Sequence, residues 1–269
     1  MAKVSFYGKG YVLSIDRVFA DMRLKKIIAA NPKQYEKIFR PYLYKGLVLS
    51  ERLPYIESHY EFTKRHWNDL FIEAVYCDRW FPLSTIVFDE DESKPYTIAL
   101  SRESTFANEG EIFIGIFDPS GSKLISISFN FANNGEYNGL FIGSMQGSGS
   151  ESAKESVRDF TKKMEGMRPH SLIIFALSHI AQFYNLHFIT AINSLHHVRN
   201  ERIKTDYDSF WEDAGGVRID DRFYSIPVVF ERKPIESVKS NKRAMYRRRY
   251  ELLDSIAVQI ENALKSYSL

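Results

Sequence analysis

Arg168-Pro169-His170-Ser171 is the stretch whose residue types point most directly to chemistry, because it stands just before an almost wholly apolar run from Leu172 to Tyr184. Pro in a first helical turn is a start signal. A helix N-terminus presents unpaired N–H groups and the positive end of the dipole, so the turn at residues 166–171 is a candidate anion site. Arg168, His170 and Ser171 are the side chains that would hold the anion. An ordinary helix start, capped by its own side chains and one ion pair, explains the same residues, and both readings stand at this level.

Five of the seven histidines, His170, His179, His187, His196 and His197, fall within 28 residues. No HExxH or comparable ligand spacing accompanies them, so a metal site is not expected. His197 is the candidate general base, since an imidazole needs only a small shift to work near neutral pH. The run Lys239, Lys242, Arg243, Arg247, Arg248 and Arg249 is the candidate partner surface. A solvated helix face accounts for it equally well. An acidic carrier protein or an anionic membrane surface suits its charge, and nucleic acid ranks last because no named nucleic-acid motif is present.

These residues need elements to hold them. The run from Leu172 to Tyr184 is apolar on every face, which predicts a buried helix. Asn185 ends it, and His187 to Ile192 reads as a short strand. Between Leu83 and Met145, runs rich in Ile, Phe and Val alternate with Asp118-Pro119-Ser120-Gly121 and Asn133-Asn134-Gly135, predicting an antiparallel meander. Residues 15–77 carry helical periodicity broken at Asn31-Pro32 and Lys45-Gly46. Residues 193–216 read as helical up to the double glycine, 217–233 as two strands around Asp220-Asp221, and the C-terminal stretch as a long amphipathic helix. The expected organisation is an N-terminal helical annex (1–79), an α+β core (80–236) and a C-terminal basic amphipathic helix (237–269).

The chain of 269 residues is 44% hydrophobic and 26% charged with a net charge of +2, an ordinary globular balance. A single cysteine, Cys77, excludes an internal disulfide framework and multi-cysteine zinc sites, and burial is expected for it. The N-terminus lacks the apolar core of about 7–15 residues that marks a secretory signal. No segment approaches the roughly 18 apolar residues of a membrane-spanning helix. A cytoplasmic chain, with peripheral contact at the inner membrane left open, is the expectation.

The order of meander, turn, buried helix, strand, helix, double glycine and closing hairpin resembles the GNAT acyltransferase fold. That resemblance implies a mixed, mostly antiparallel sheet around the buried helix, with two parallel strands splaying around Gly143 and Thr190. It implies an acyl-CoA or acyl carrier protein thioester as cofactor, its phosphates at Arg168, His170 and Ser171. It further implies backbone N–H groups near Gly143–Gln146 to polarise the thioester carbonyl, with Gln146 and Gly147 among the cofactor-binding residues. Asn193 stands where that fold often has an Asn after the second splayed strand, His197 would be the base, and Tyr207 would return a proton to the thiolate. The glycine loop usual before the helix is replaced by Gly166-Met167-Arg168-Pro169-His170-Ser171.

A closer likeness covers nearly the whole chain. YLYKGLVLSERLPYIESHY, FIGSMQG, GMRPHSLI, AINSLHHV, YDSFWEDAGG and KSNKRAMYRRRYELLD resemble the VirK/YbjX family, also called DUF535. This likeness implies a bacterial protein tied to virulence and antimicrobial-peptide resistance, hence to the cell envelope. The two resemblances leave an acyltransferase and a non-catalytic adaptor as alternatives.

Overall fold

The alternating segments between Phe81 and Gly147 form five antiparallel strands: β1 (Phe81–Ile86), β2 (Tyr96–Ser101), β3 (Ile112–Phe117), β4 (Lys123–Asn133) and β5 (Asn138–Gly147). The predicted turn residues close them. Asp118 Oδ1 accepts from the Ser120 and Ser122 N–H groups, both at 2.9 Å, and Gly121 takes the left-handed conformation at φ +80°. Such side-chain bonds to nearby backbone are how Asp and Asn specify turns. The computed structural model describes residues 8–78, 80–88, 95–102, 108–147, 151–199 and 206–269.

After β5 the chain crosses over through α5 (Glu151–Lys163) and α6 (Pro169–Phe183) before returning as β6 (Phe188–Ile192). A crossover of this length is what two parallel neighbours require, and β6 pairs with β5 in parallel. Helix α7 (Tyr207–Asp213) and the hairpin β7 (Val217–Arg218) and β8 (Phe223–Ile226) complete the sheet, whose order is β1-β2-β3-β4-β5-β6-β8-β7. The fold is therefore α+β with a mixed, mostly antiparallel sheet, as expected. Helix α6 buries Leu172 through Ser178 against β3 and β4, and α8 (Arg243–Tyr267) packs on α6 and along β1. The Gln259 side chain on α8 accepts the Thr85 N–H at 2.8 Å, which satisfies a donor on the edge strand.

The pairing of β5 with β6 runs from Gly139 opposite Phe188 to Ile142 opposite Ala191 and then stops. At that point β5 carries a bulge: Ser144 pairs with Ser128 and Ile142 with Phe129, leaving Gly143 unmatched. A bulge bends its strand and re-aims the side chains beyond it. Residues 144–147 stay paired with β4 but not with β6. Only glycine fits at the bulge, because a Cβ on Gly143 would lie 2.0 Å from the Glu109 carbonyl oxygen. Gly143→Ala is expected to destabilise the protein by about 3 kcal/mol, the upper part of the range for overpacking a rigid site. A urea unfolding curve with an unchanged midpoint would show that the two backbones separate easily.

The annex comprises α1 (Gly8–Val18), α2 (Met22–Ala30), a 3-10 segment (Pro32–Phe39), α3 (Leu49–His66) and α4 (Asp69–Tyr76). It shares one hydrophobic core with the sheet. A buried polar cluster also joins the two. Glu111, leading into β3, accepts from Gln34 Nε2 at 2.6 Å, Tyr42 Oη at 2.6 Å and Tyr60 Oη at 2.8 Å, and pairs with Lys37 Nζ at 3.0 Å. Lys37 also donates to the Gly110 carbonyl at 2.9 Å, and Asn130 on β4 binds Tyr42 Oη at 2.7 Å. These bonds hold the segment 109–111 in place.

Three expectations change. The stretch 193–216 is not one helix: residues 193–199 are turns, 200–205 lie outside the described residues, and only Tyr207–Asp213 is helical. Asn193 Oδ1 takes the His196 N–H at 2.9 Å and Asp206 Oδ1 takes the Ser209 N–H at 3.3 Å, local bonds that compete with continuous helix. Helix α8 begins at Arg243, so Lys239 and Lys242 lie before it in a short 3-10 segment, 240–242, and its N-cap. Cys77 is half-buried rather than buried.

Candidate active site

The turn between α5 and α6 passes through two left-handed residues, Glu165 at φ +52° and Gly166 at φ +79°. The Gly166 N–H reaches back to the Thr161 carbonyl at 2.8 Å, satisfying the end of α5. Arg168 then occupies the N-cap of α6 and Pro169 its first position, as predicted, but no side chain caps the helix. Ser171 is therefore not a cap; it lies inside the first turn. Beside this helix start is a cavity of about 470 Å³, lined by Arg168, His170, Ser171, Arg232, Lys233 and Tyr246 among others. A second space of about 60 Å³ shares His170, Ser171, Asp213 and Phe230 with the first and reaches Met145 on β5. Burial, with Arg168 nearby, holds the His170 imidazole below its ordinary pKa, so it is neutral near pH 7.

On the other side of β5, a carboxylate and an imidazole meet. Glu109 Oε1 lies 3.6 Å from His197 Nε2, and Glu109 Oε2 accepts from Gln146 Nε2 at 2.7 Å. Gln146 and Ser144 point to this side because they alternate with Met145 along β5, and Ser144 acts on the same carboxylate. Burial raises the Glu109 pKa. Burial lowers that of His197 to about 4, with the Arg199 charge acting in the same direction. The Arg199 N–H donates to His197 Nδ1 at 3.0 Å, so the neutral ring carries its proton on Nε2.

Helix α7 brings Tyr207 to the same place. Its N–H donates to Ser194 Oγ at 2.8 Å, and the Trp211 indole N–H donates to the Ile192 carbonyl at 2.8 Å, locking α7 to the end of β6. The Tyr207 ring then stands edge-on to His197 at 5.6 Å, with its hydroxyl beside the Met145 N–H. Burial raises the Tyr207 pKa, so the hydroxyl keeps its proton.

The sequence-selected residues thus fall into two groups flanking the bulged part of β5. Arg168, His170 and Ser171 line the cavity; Gln146, His197 and Tyr207 surround Glu109; Gly147 closes β5 opposite Ile125. Asn193 belongs to neither, since its Nδ2 donates to the Asp221 carbonyl at 2.6 Å and its Oδ1 accepts from the His196 N–H at 2.9 Å. Its role is to hold the loop carrying His197. Sequence reading missed Glu109, which sits in an unremarkable Asn-Glu-Gly-Glu run. Its neighbour Gly110 was the available signal, because a Cβ there would lie 2.6 Å from the Phe129 nitrogen. Among the described residues, no cluster of three or more His, Cys, Asp or Glu could hold a metal ion.

The basic run is partly structural. Arg248 binds Glu165 through two hydrogen bonds of 2.8 Å, Arg249 Nε donates to the Glu165 carbonyl at 3.0 Å, and Arg243 donates to the Val238 and Glu236 carbonyls, each at 3.0 Å. Lys242 and Arg247 are exposed. Arg249 therefore clamps the strained turn ahead of α6. Arg249→Ala should cost about 1.5 kcal/mol, the low end for a charged donor at a half-exposed site. A thermal unfolding midpoint equal to that of the unchanged protein would return this arginine to the partner surface.

A mixed α+β sheet, opening beside a helix start and a buried carboxylate–imidazole pair, defines the class of this protein. The chain belongs to the family described as Protein of unknown function (DUF535), which it matches over residues 5–262. It is similar to an Escherichia coli K12 protein described as uncharacterized protein YbjX, 28% identical over 88% of this chain and 74% of that protein. An uncharacterized protein of Haemophilus influenzae is 31% identical over 96% of this chain and 89% of its own length. No solved structure gives a significant match. Among the described residues, no helix is long and apolar enough to cross a membrane.

Proposed function

We propose that the protein is an acyltransferase that moves an acyl group from a thioester, carried by coenzyme A or an acyl carrier protein, to a component of the cell envelope. The observation that carries this reading is the parting of parallel strands β5 and β6 after Ile142 and Ala191, at a bulge two residues before Met145, which lines the small space beside the uncapped start of α6. The cavity there offers Arg168, His170, Ser171 and Lys233 to phosphate oxygens. When bound, the thioester supplies an acyl carbon already activated for attack. The chain supplies position and proton transfer. Glu109 takes the acceptor proton, Tyr207 gives one to the departing sulfur, and the unpaired edge of residues 143–147 supplies N–H groups for the carbonyl oxygen.

The base role moves from His197 to Glu109 in this scheme. With Nδ1 occupied by the Arg199 N–H and a proton on Nε2, His197 has no lone pair to offer. The envelope acceptor follows from the family resemblance, and so does any link to virulence or antimicrobial-peptide resistance. A non-catalytic adaptor that binds a partner or the inner membrane surface through the basic helix is the rival. It loses support because Arg243, Arg248 and Arg249 are engaged within the chain.

Calorimetric titration with coenzyme A and with holo acyl carrier protein tests the reading. Arg168→Ala is expected to weaken binding about tenfold, near 1.4 kcal/mol, without changing the melting temperature. Equal affinity of the variant for both probes would remove the phosphate site, and no binding of either probe to the unchanged protein would remove the acyltransferase.

A further inference from the structure

Around Glu109, two buried polar atoms have no hydrogen-bond partner among the described residues, His197 Nε2 and Ser128 Oγ, while Ser144 Oγ faces the Glu109 carboxylate. The four residues are 1% (His197, Ser144), 2% (Ser128) and 3% (Glu109) exposed, so water at the surface does not serve them. They are neighbours by construction. Ser128 and Ser144 pair directly across β4 and β5, and Gly110 packs on the Ser128 carbonyl carbon, which brings Glu109 alongside. Unsatisfied buried polar atoms each cost about 1–3 kcal/mol, and two in one cluster beside a buried carboxylate call for an occupant.

We propose that Glu109, His197, Ser128 and Ser144 form a binding site for an uncharged hydroxyl group, and that the acceptor of the acyl group is accordingly an alcohol rather than an amine. The second half rests on the acyltransferase reading; the first does not. The chemistry of the four groups makes the selection. His197 Nε2–H is an obligate donor, ionised Glu109 an obligate acceptor, and the two serines serve as either. An ammonium group carries only donors and would face the Nε2–H. A carboxylate or phosphate carries only acceptors and would face Glu109. A hydroxyl meets both demands, accepting from His197 while donating to Glu109.

The distances agree. Two atoms 3.6 Å apart, as Glu109 Oε1 and His197 Nε2 are, leave an apex about 2.8 Å from each, an ordinary hydrogen-bond length to both. Primary amines, with a pKa near 10, are protonated at neutral pH and are disfavoured at that apex. In the transfer step the hydroxyl proton passes to Glu109 as the oxygen bonds to the acyl carbon. The carbon–sulfur bond breaks and the sulfur takes the Tyr207 proton, giving an ester and a free thiol.

The full chain with ¹⁵N-labelled histidine provides the binding test. Ethanol, ethylammonium and acetate are matched in size and differ in charge, and each is titrated while the His197 Nε2 signal, identified by its loss in His197→Asn, is followed. Ethanol is expected to move that signal, and Ser128→Ala with Ser144→Ala to weaken the response at least fivefold. The His59 signal, from a ring bonded to Tyr76, reports that the variant remains folded. An equal response to ethylammonium or acetate, or none to ethanol, overturns the proposal. A second arm offers acetyl-coenzyme A with methyl glucoside or its 6-amino-6-deoxy analogue. Ester formed on the former is the expected product. Amide formed preferentially on the latter overturns the alcohol inference and leaves the acyltransferase intact. Thioester left unconsumed beside a normal ethanol response removes the acyltransferase and leaves the hydroxyl site.

Discussion

Lys37→Ala is expected to lower the unfolding free energy by about 3–5 kcal/mol, because removing one partner of a buried ion pair strands the other charge. Glu111 would be that charge. It is enclosed by Tyr42, Tyr60 and Gln34, none of which can neutralise it, and the Gly110 carbonyl would lose its donor as well. The midpoint of urea denaturation should fall without a change in slope. A loss below about 1 kcal/mol would mean that water enters the cluster and that the annex is held by apolar contact alone. Replacing Lys37 and Glu111 together by Met and Leu should recover only part of the loss, since Tyr42, Tyr60 and Gln34 then lack their acceptor.

The same cluster sets a pH dependence. Burial alone would raise the Glu111 pKa, but the Lys37 ammonium, His59 and the Tyr42 hydroxyl outweigh it and bring it to about 2, below the ordinary carboxylate value. A carboxylate held below its unfolded pKa binds protons more readily in the unfolded chain. Its contribution is therefore complete above about pH 4.5 and is lost as the pH falls toward 2. In Lys37→Ala the acid limb of the stability curve should move to higher pH. A curve that keeps its acid limb would place the acid-sensitive group elsewhere.

Glu109→Gln should lower the rate of acyl transfer by about 10²–10⁴, the usual contribution of a positioned base, while thioester binding at the cavity, whose lining does not include Glu109, is retained. Glutamine keeps the shape and can still meet Gln146, so the fold should survive. His197→Asn should have a smaller effect, since that ring offers a hydrogen bond to the acceptor rather than accepting its proton. The order of the two losses distinguishes the roles. A larger loss for His197→Asn, with the rate of Glu109→Gln nearly unchanged, would restore the imidazole as the base.

Stability and chemistry are coupled through three consecutive residues. Glu111 is anchored in the annex cluster, Gly110 passes so close to β4 that no side chain fits, and the Glu109 carbonyl presses on Gly143 at the bulge. The annex is thus the support that fixes the Glu109 carboxylate against β5. Variants that loosen the Glu111 cluster should also lose activity before they unfold.

Much of the architecture was legible in the residue pattern. The runs rich in Ile, Phe and Val, the turn residues at 118–121 and 133–135, and the all-round apolar character of α6 each depend on a local pattern, and each element formed where its pattern predicted. Pro169 began α6 for a reason confined to one residue: it has no N–H to lose. The continuous helix expected over 193–216 did not form, because Asn193 and Asp206 spend their side chains on nearby N–H groups, which the apolar pattern does not record.

By itself, then, the sequence determined the elements, the sheet class, the family and the two clusters of polar residues worth watching. Tertiary structure alone decided which of those residues meet. Glu109 reaches His197 across 88 positions because β5 bulges at Gly143 and the loop after β6 folds back onto the Tyr44 segment, pairings between distant stretches that no local period encodes. It also turned Arg248 and Arg249 from a basic surface into a clamp on Glu165. Charge can be read one residue at a time, whereas burial, tautomer and partner depend on what the rest of the chain brings alongside.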